Sequence, residues 1–457
     1  MKIDQILVTN DTSIKETMKI IDRGSIRTAI VVDESKRLIG VVTDGDIRRG
    51  ILSGIDINEQ VSKIMNDNPF FVKSSTSKEE IITTLKEKGI LNAPVVDENK
   101  NVIDIVLLSG GSGTSNFNKS ERLNKHLGTI LVIGGAGYVG SILVRKLLSK
   151  GYRVNVLDKF LYGKESLQDI KENQKLRIVE GDTRHIEDIT SAIREADAVV
   201  HLAELVGDPA CALDTTKTTE INCLATRAIA SICKHFQINR LVYASSCSVY
   251  GASEGGALLT EESPLTPVSL YAKMKIASEK ALLEMRDDNF LPTILRLGTV
   301  FGFSYRPRFD LVVNLLTAKA IKEGKITIFG GDQWRPNVHV EDVADTIVSV
   351  LESPIEDVGG KIFNVGHEDN NHTINKIGDY VKELIPSAEV VIEDKEVDKR
   401  DYKVDFTKIR EILGDNIKKN LGDGINEIRV ALEQDQELDY CDKKHSNIKF
   451  LTENNPN

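Results

Sequence analysis

With 457 residues the chain is too long for one ordinary domain, and its 40% hydrophobic and 28% charged residues are those of a globular protein. A net charge of −10 with no basic block argues against nucleic acid or an anionic membrane surface as a partner. No apolar run approaches the ~20 residues of a membrane span. No signal-peptide core opens the chain, and Cys211, Cys223, Cys233, Cys247 and Cys441 show neither Cys-x-x-Cys nor zinc spacing, so a cytoplasmic protein with reduced thiols and no metal site is expected.

The first element is a repeat. Ala29-Ile-Val-Val-Asp-Glu-Ser-Lys returns as Ala93-Pro-Val-Val-Asp-Glu-Asn-Lys, 64 residues on. Each copy follows a helix-like stretch (Ser13–Gly24, Ser77–Gly89) and precedes an apolar run (Leu38–Val42, Val102–Leu108). One such unit is too small to bury its faces, so residues 1–110 are expected to pair into an α+β module. The serine- and glycine-rich stretch beginning at Ser109 then reads as a flexible linker covering residues 111–128.

From Thr129 apolar strands alternate with helices. Strands are expected at Ile130–Ile133, Val154–Leu157, Arg177–Val179, Ala198–His201, Leu241–Ala244 and Thr293–Leu297. Helical patterns at Tyr138–Lys150, His185–Glu195, Thr216–His235 and Leu270–Met285 separate them, which predicts a Rossmann-like, doubly wound parallel sheet of the α/β class. Further strands at Ile326–Phe329, Lys361–Val365 and Val390–Glu393 are assigned to a small substrate lobe that completes a domain over 129–433. The polar residues 434–457 read as a frayed tail.

Two constellations carry chemistry. Gly134, Gly137 and Gly140 lie between a strand and a helix, where glycines permit a tight turn and close approach of a pyrophosphate to the helix amino terminus. Asp158 ends the next strand, where a carboxylate suits ribose hydroxyls and repels a 2′-phosphate, so NAD is favoured over NADP, with Lys159 a small counterweight. Tyr271 and Lys275 are spaced to share a helical face, and the ammonium is expected to favour the phenolate. Ser246, 25 residues earlier at a strand end, would orient a substrate hydroxyl.

These motifs, with Gly181-Asp182, His201-Leu-Ala203, Tyr243-Ala-Ser-Ser-Cys-Ser-Val-Tyr-Gly251 and Arg335-Pro-Asn-Val-His-Val-Glu-Asp342, resemble the extended short-chain dehydrogenase/reductases, in particular the nucleotide-sugar epimerases and dehydratases. The resemblance implies catalytic Ser246, Tyr271 and Lys275. It implies an NAD site at Gly134, Gly137, Tyr138, Val139, Gly140, Asp158, Asp182, Ala203 and Lys275. On the substrate side it implies Arg335 at a diphosphate, with looser matches at Arg308, Asp310, Asn314 and Arg400. Ser246-Cys247-Ser248 replaces the Thr-Asp-Glu of sugar 4,6-dehydratases, which disfavours dehydration. Glu204 stands where the family has a small residue. Residues 1–110 resemble a pair of CBS motifs, whose Thr43 and Asp46 would hold an adenine nucleotide; the second copy, Asp104-Ile-Val-Leu107-Leu-Ser-Gly110, lacks both groups.

The expectation is an NAD-dependent epimerase of a nucleotide sugar, at C4, forming a homo-oligomer. A 4-keto nucleotide-sugar reductase and a non-catalytic dinucleotide sensor are the rivals.

Overall fold

The computed structural model describes residues 3–24, 28–76, 84–85, 92–107, 111–112, 127–252, 257–393 and 400–454. It divides into two units, Met1–His126 and Leu127–Asn457.

In the first unit the repeat becomes two matching hairpins. Thr28–Val32 pairs antiparallel with Leu38–Thr43, and Asn92–Val96 with Val102–Leu107, each carrying a register shift at the same place, Val31/Val32 and Val95/Val96. Each copy buries a cluster of its own, around Ala29, Val31 and Val42 in the first and Ala93, Val95 and Val106 in the second, and the pair shares a third in which Ile30 and Val32 pack with Val96, Val102 and Ile105. Thr43 caps the helix Asp44–Leu52 in a reciprocal capping box with Asp46. The expected helix Ser77–Gly89 and the linker fall outside the described residues, apart from Thr84, Leu85, Gly111, Ser112, Leu127 and Gly128.

The second unit is built on seven parallel strands in the order Leu176–Glu180, Arg153–Asp158, Thr129–Ile133, Ala198–His201, Arg240–Ser246, Thr293–Leu297, Ile362–Val365. Every residue of Thr129–Ile133, Ala198–His201 and Thr293–Leu297 is buried, as β-branched and apolar runs covered by helices on both faces must be. The run Lys361–Val365, expected in the small lobe, instead supplies the last strand of the main sheet, registered Ile362 on Ile294 through Val365 on Leu297. An apolar strand segment carries no record of which sheet it joins. The expected helix Thr216–His235 is broken into Thr215–Thr219, a π-helical turn Glu220–Leu224 and Ala225–His235.

The small lobe pairs Lys325–Phe329 with Glu389–Glu393 and packs Phe301, Val313, Ile326, Ile377 and Ile425 in its own core. The tail is a correction to the sequence reading. It folds into the helix Asn447–Glu453, with Leu451 buried against Leu205, Ala210 and Tyr271. A few well-placed contacts outweigh its polar composition: Phe309 N–H donates to His445 O at 2.9 Å, Asn447 N–H to Asp310 Oδ2 at 2.9 Å, and Tyr162 meets Phe450 edge to face.

Candidate active site

The glycine turn shows why its residues must be glycine. Gly134 has φ +88°, and a Cβ on Gly140 would lie 2.1 Å from Gly134 O. Asp158, at the end of the neighbouring strand, ties the turn down: its Oδ2 accepts from Ala136 N at 2.9 Å and its Oδ1 from Phe160 N at 2.8 Å. Burial pushes the Asp158 carboxyl up, against these hydrogen bonds. For Asp182 burial loses the contest. Arg184 and Lys159, each 2.8 Å away, hold its carboxyl well below the usual range, and Lys159 is thereby paired with Asp182.

Gly134, Gly140, Asp158, Lys159 and Asp182 line a cavity of about 330 Å³ that also includes Tyr138, Val139, Ala203, Glu204, Ser246, Tyr271, Lys275 and Arg400. Ser246 ends the strand Arg240–Ser246, and its Oγ accepts from Ser248 N at 3.1 Å. Tyr271 and Lys275 lie on the helix Leu270–Glu284, whose cap Ser269 accepts from Ala272 N and donates to Asp208 at 2.8 Å. The cavity thus joins a dinucleotide turn to a phenol, an ammonium and a hydroxyl.

Glu204 changes the electrostatics. Its side chain is 1% exposed, its Oε2 lies 2.7 Å from Lys275 Nζ, and its Oε1 accepts from the Tyr243 hydroxyl at 2.6 Å. Lys275 also donates to Ala244 O and stands 4.8 Å from the Tyr243 ring centre and 5.6 Å from that of Tyr271. The expected lowering of the Tyr271 pKa is therefore absent from this structure. Burial pushes the phenol up, the Glu204 carboxylate adds to that, and the hydrogen bond with Ser246 opposes both. The lysine is in place, but its charge is balanced by a carboxylate the motif does not contain.

Two expected substrate residues do not line the cavity. Asn314 is buried and spent on structure: Nδ2 donates to Arg308 O at 2.8 Å, and Oδ1 accepts from Gly302 N at 3.0 Å. Arg335 donates to Trp334 O at 2.8 Å and to Arg400 O, steadying the backbone of Arg400, whose own side chain does face the cavity 3.5 Å from Asp208. Arg308, which also lines the cavity, is forked onto Asp310 at 2.9 and 3.0 Å. Sequence reasoning missed Arg306, Tyr162 and Asn447. Arg306 stacks 3.9 Å from the Tyr162 ring centre and donates to Asn447 Oδ1 at 2.7 Å, and all three stand at the cavity wall. No spacing rule links positions 141 residues apart.

A family model for the NAD dependent epimerase/dehydratase family matches residues 130–366, and one for the CBS domain matches residues 1–53 and 61–109. The chain belongs to the NAD dependent epimerase/dehydratase family. Family members similar to it include a UDP-glucose 4-epimerase of Lactobacillus helveticus, 29% identical over 52% of this chain and 76% of the relative. UDP-glucuronic acid decarboxylase 1 of Arabidopsis thaliana is 28% identical over 69% and 72%. Among solved structures, the UDP-glucuronic acid 4-epimerase of Bacillus cereus, in complex with UDP-glucuronic acid and NAD, superposes with a TM-score of 0.61 at 25% identity, covering 67% of this chain and 99% of that one. NAD is the family's cofactor, and the strained Gly134–Gly140 turn, where a side chain would collide with backbone, fits its pyrophosphate. Epimerases and decarboxylases stand at similar identity, so family membership leaves the reaction open. Among the described residues no helix is long and apolar enough to cross a membrane, and no cluster of three His, Cys, Asp or Glu could hold a metal.

Proposed function

We propose that the chain is an NAD-dependent epimerase of a nucleotide sugar, acting at C4. The observation that carries this reading is the convergence of Ser246, Tyr271 and Lys275 on the cavity formed by the glycine turn. Gly134, Gly137, Tyr138, Val139, Gly140, Asp158, Asp182, Ala203 and Lys275 would hold NAD, which when bound accepts and returns a hydride. Tyr271 would take the proton of the sugar hydroxyl and give it back after the keto sugar has turned over. Ser246 would orient that hydroxyl by hydrogen bonding. Arg400, facing the cavity, is the substrate-side cation this reading retains. Because the hydride is returned to the same sugar, no external reductant is consumed.

Purified protein incubated with a panel of nucleotide sugars, read by mass and proton NMR, should yield a product of unchanged mass without added NADH. Tyr271→Phe should lower that rate by ~10²–10⁴-fold, as general-base removal does. Loss of water or carbon dioxide, a stoichiometric demand for NADH, or a Tyr271→Phe enzyme within a few-fold of the parent would each refute the reading.

The amino-terminal pair is proposed to take an adenine nucleotide at Thr43 and Asp46. Thr43 N–H and Oγ1 both donate to Asp46 Oδ2, at 2.8 and 2.6 Å, and Arg49 pairs with the other oxygen. Titrating the full chain with AMP, ADP and ATP should give saturable binding that Asp46→Ala weakens; no binding by any of them ends this part.

A further inference from the structure

Glu204 has a position that the motif around it does not explain. It follows the strand Ala198–His201, and the backbone beside it is clamped from the π-helical turn: Asn222 Oδ1 accepts from Leu205 N at 2.9 Å, and Nδ2 donates to Leu205 O at 2.8 Å. The extra residue of a π turn commonly re-aims side chains at functional sites, and here it fixes the segment that carries the carboxylate. The clamp places Glu204 against Lys275 at the wall of the cavity, with Tyr271 and Ser246 on the same wall.

The charges facing this point can be named. Lys275 comes from the helix Leu270–Glu284, Tyr243 from the strand Arg240–Ser246, Tyr271 from the start of that helix, and Cys211 and Asp208 from the segment after Glu204. His201 beneath is neutral, because burial pushes its pKa down to about 3. Burial pushes the Glu204 carboxyl up, and the Lys275 charge with the hydrogen bonds from Lys275 and Tyr243 opposes it; paired at 2.7 Å, the carboxylate and the ammonium together present no net charge. A lysine alone would present one positive charge in a site shielded from water, where such charges act strongly.

We infer that Glu204 sets the redox poise of the bound cofactor, its carboxylate cancelling the Lys275 charge so that oxidised, cationic nicotinamide is not repelled relative to the reduced, neutral ring. This rests on the reading that Tyr271 and Lys275 face the nicotinamide. An epimerase begins each cycle by oxidising a hydroxyl, so a site that keeps its cofactor oxidised at rest is ready for substrate. Glu204 is in this sense a positioning residue, acting through Lys275 and the local charge.

The test is a pair of titrations on cofactor-stripped full-length protein: NADH by fluorescence and NAD by calorimetry, for the parent, Glu204→Gln, Glu204→Asp and the double variant Glu204→Gln/Lys275→Met. Glu204→Gln should raise the ratio of Kd for NAD to Kd for NADH by about tenfold, equivalent to a rise of about 30 mV in the potential of the bound two-electron couple. Glu204→Asp keeps the charge and should stay near the parental ratio. The double variant carries no unpaired buried ammonium, which favours its folding, and should return the ratio toward the parent because its net charge is again zero. If Glu204→Gln changes both constants by the same factor, or leaves the ratio unchanged, or if the double variant does not restore it, the inference is wrong. An inactive Tyr271→Phe beside an unchanged ratio would remove this inference and leave the epimerase reading intact. An active Tyr271→Phe would remove the epimerase reading, whatever the ratio.

Discussion

Two buried ion pairs flank the strand Arg240–Ser246, and they are built to different ends. Arg296 and Glu279, with side chains 3% and 4% exposed, are closed on every side. The guanidinium reaches both Glu279 oxygens, at 2.7 and 3.1 Å, then the Tyr250 hydroxyl at 3.0 Å and Glu261 O at 3.1 Å, while Ser245 donates to the carboxylate. Lys275 and Glu204 are as deeply buried but are joined by one contact of 2.7 Å, with one hydroxyl on the carboxylate, and they border the cavity. A buried pair with all its hydrogen bonds made holds structure in place. A sparsely bonded pair beside a cavity keeps charge available to a ligand.

The sharpest way to break this comparison is to remove one carboxylate from each pair. Glu279→Gln strands a guanidinium in the core and should destabilise the full chain by about 3–5 kcal/mol in chemical denaturation. Glu204→Gln leaves Lys275 its bond to Ala244 O and access to the cavity, and should cost about 1–3 kcal/mol. Equal losses, or a larger loss at Glu204, would mean that the second pair is also chiefly structural.

A smaller effect comes from His201, which sits under the open pair with Nε2 on Thr226 at 3.0 Å. Its folded pKa is lowered to about 3 by burial, with the Lys275 charge adding to that. Below its ordinary pKa of ~6.5 the unfolded chain binds a proton that the folded chain refuses, so stability falls as pH drops, by at most ~1.4 kcal/mol per unit. His201→Gln should remove that contribution from the stability–pH curve between about pH 6.5 and 3. An unchanged acid limb would show that His201 takes its proton in the folded state.

The parts of the site that were legible in the sequence are local. Tyr271 and Lys275 share a face through helical spacing alone, and Gly134 and Gly140 are dictated by a turn whose backbone leaves no space for a Cβ. The repeat at Ala29 and Ala93 was legible for the same reason, since each copy is a hairpin with its own pattern. Asn314 and Arg335, which the motif assigns to the substrate, do not line the cavity. The motif gives the residue, whereas the direction of its side chain depends on Gly302, Arg308 and the Arg400 backbone, which come from other segments.

By itself, then, the sequence determined the alternation of strand and helix, the glycine turn, the Ser246–Tyr271–Lys275 set and the paired amino-terminal motif, because each is written in neighbouring residues and obeys a short period. Tertiary structure alone decided that Ile362–Val365 completes the main sheet, that the polar tail docks Asn447 onto Arg306, and that Glu204 meets Lys275 across 71 residues of chain. Apolar strands are interchangeable in pattern, and a charge has no preferred partner until packing excludes water and leaves it one.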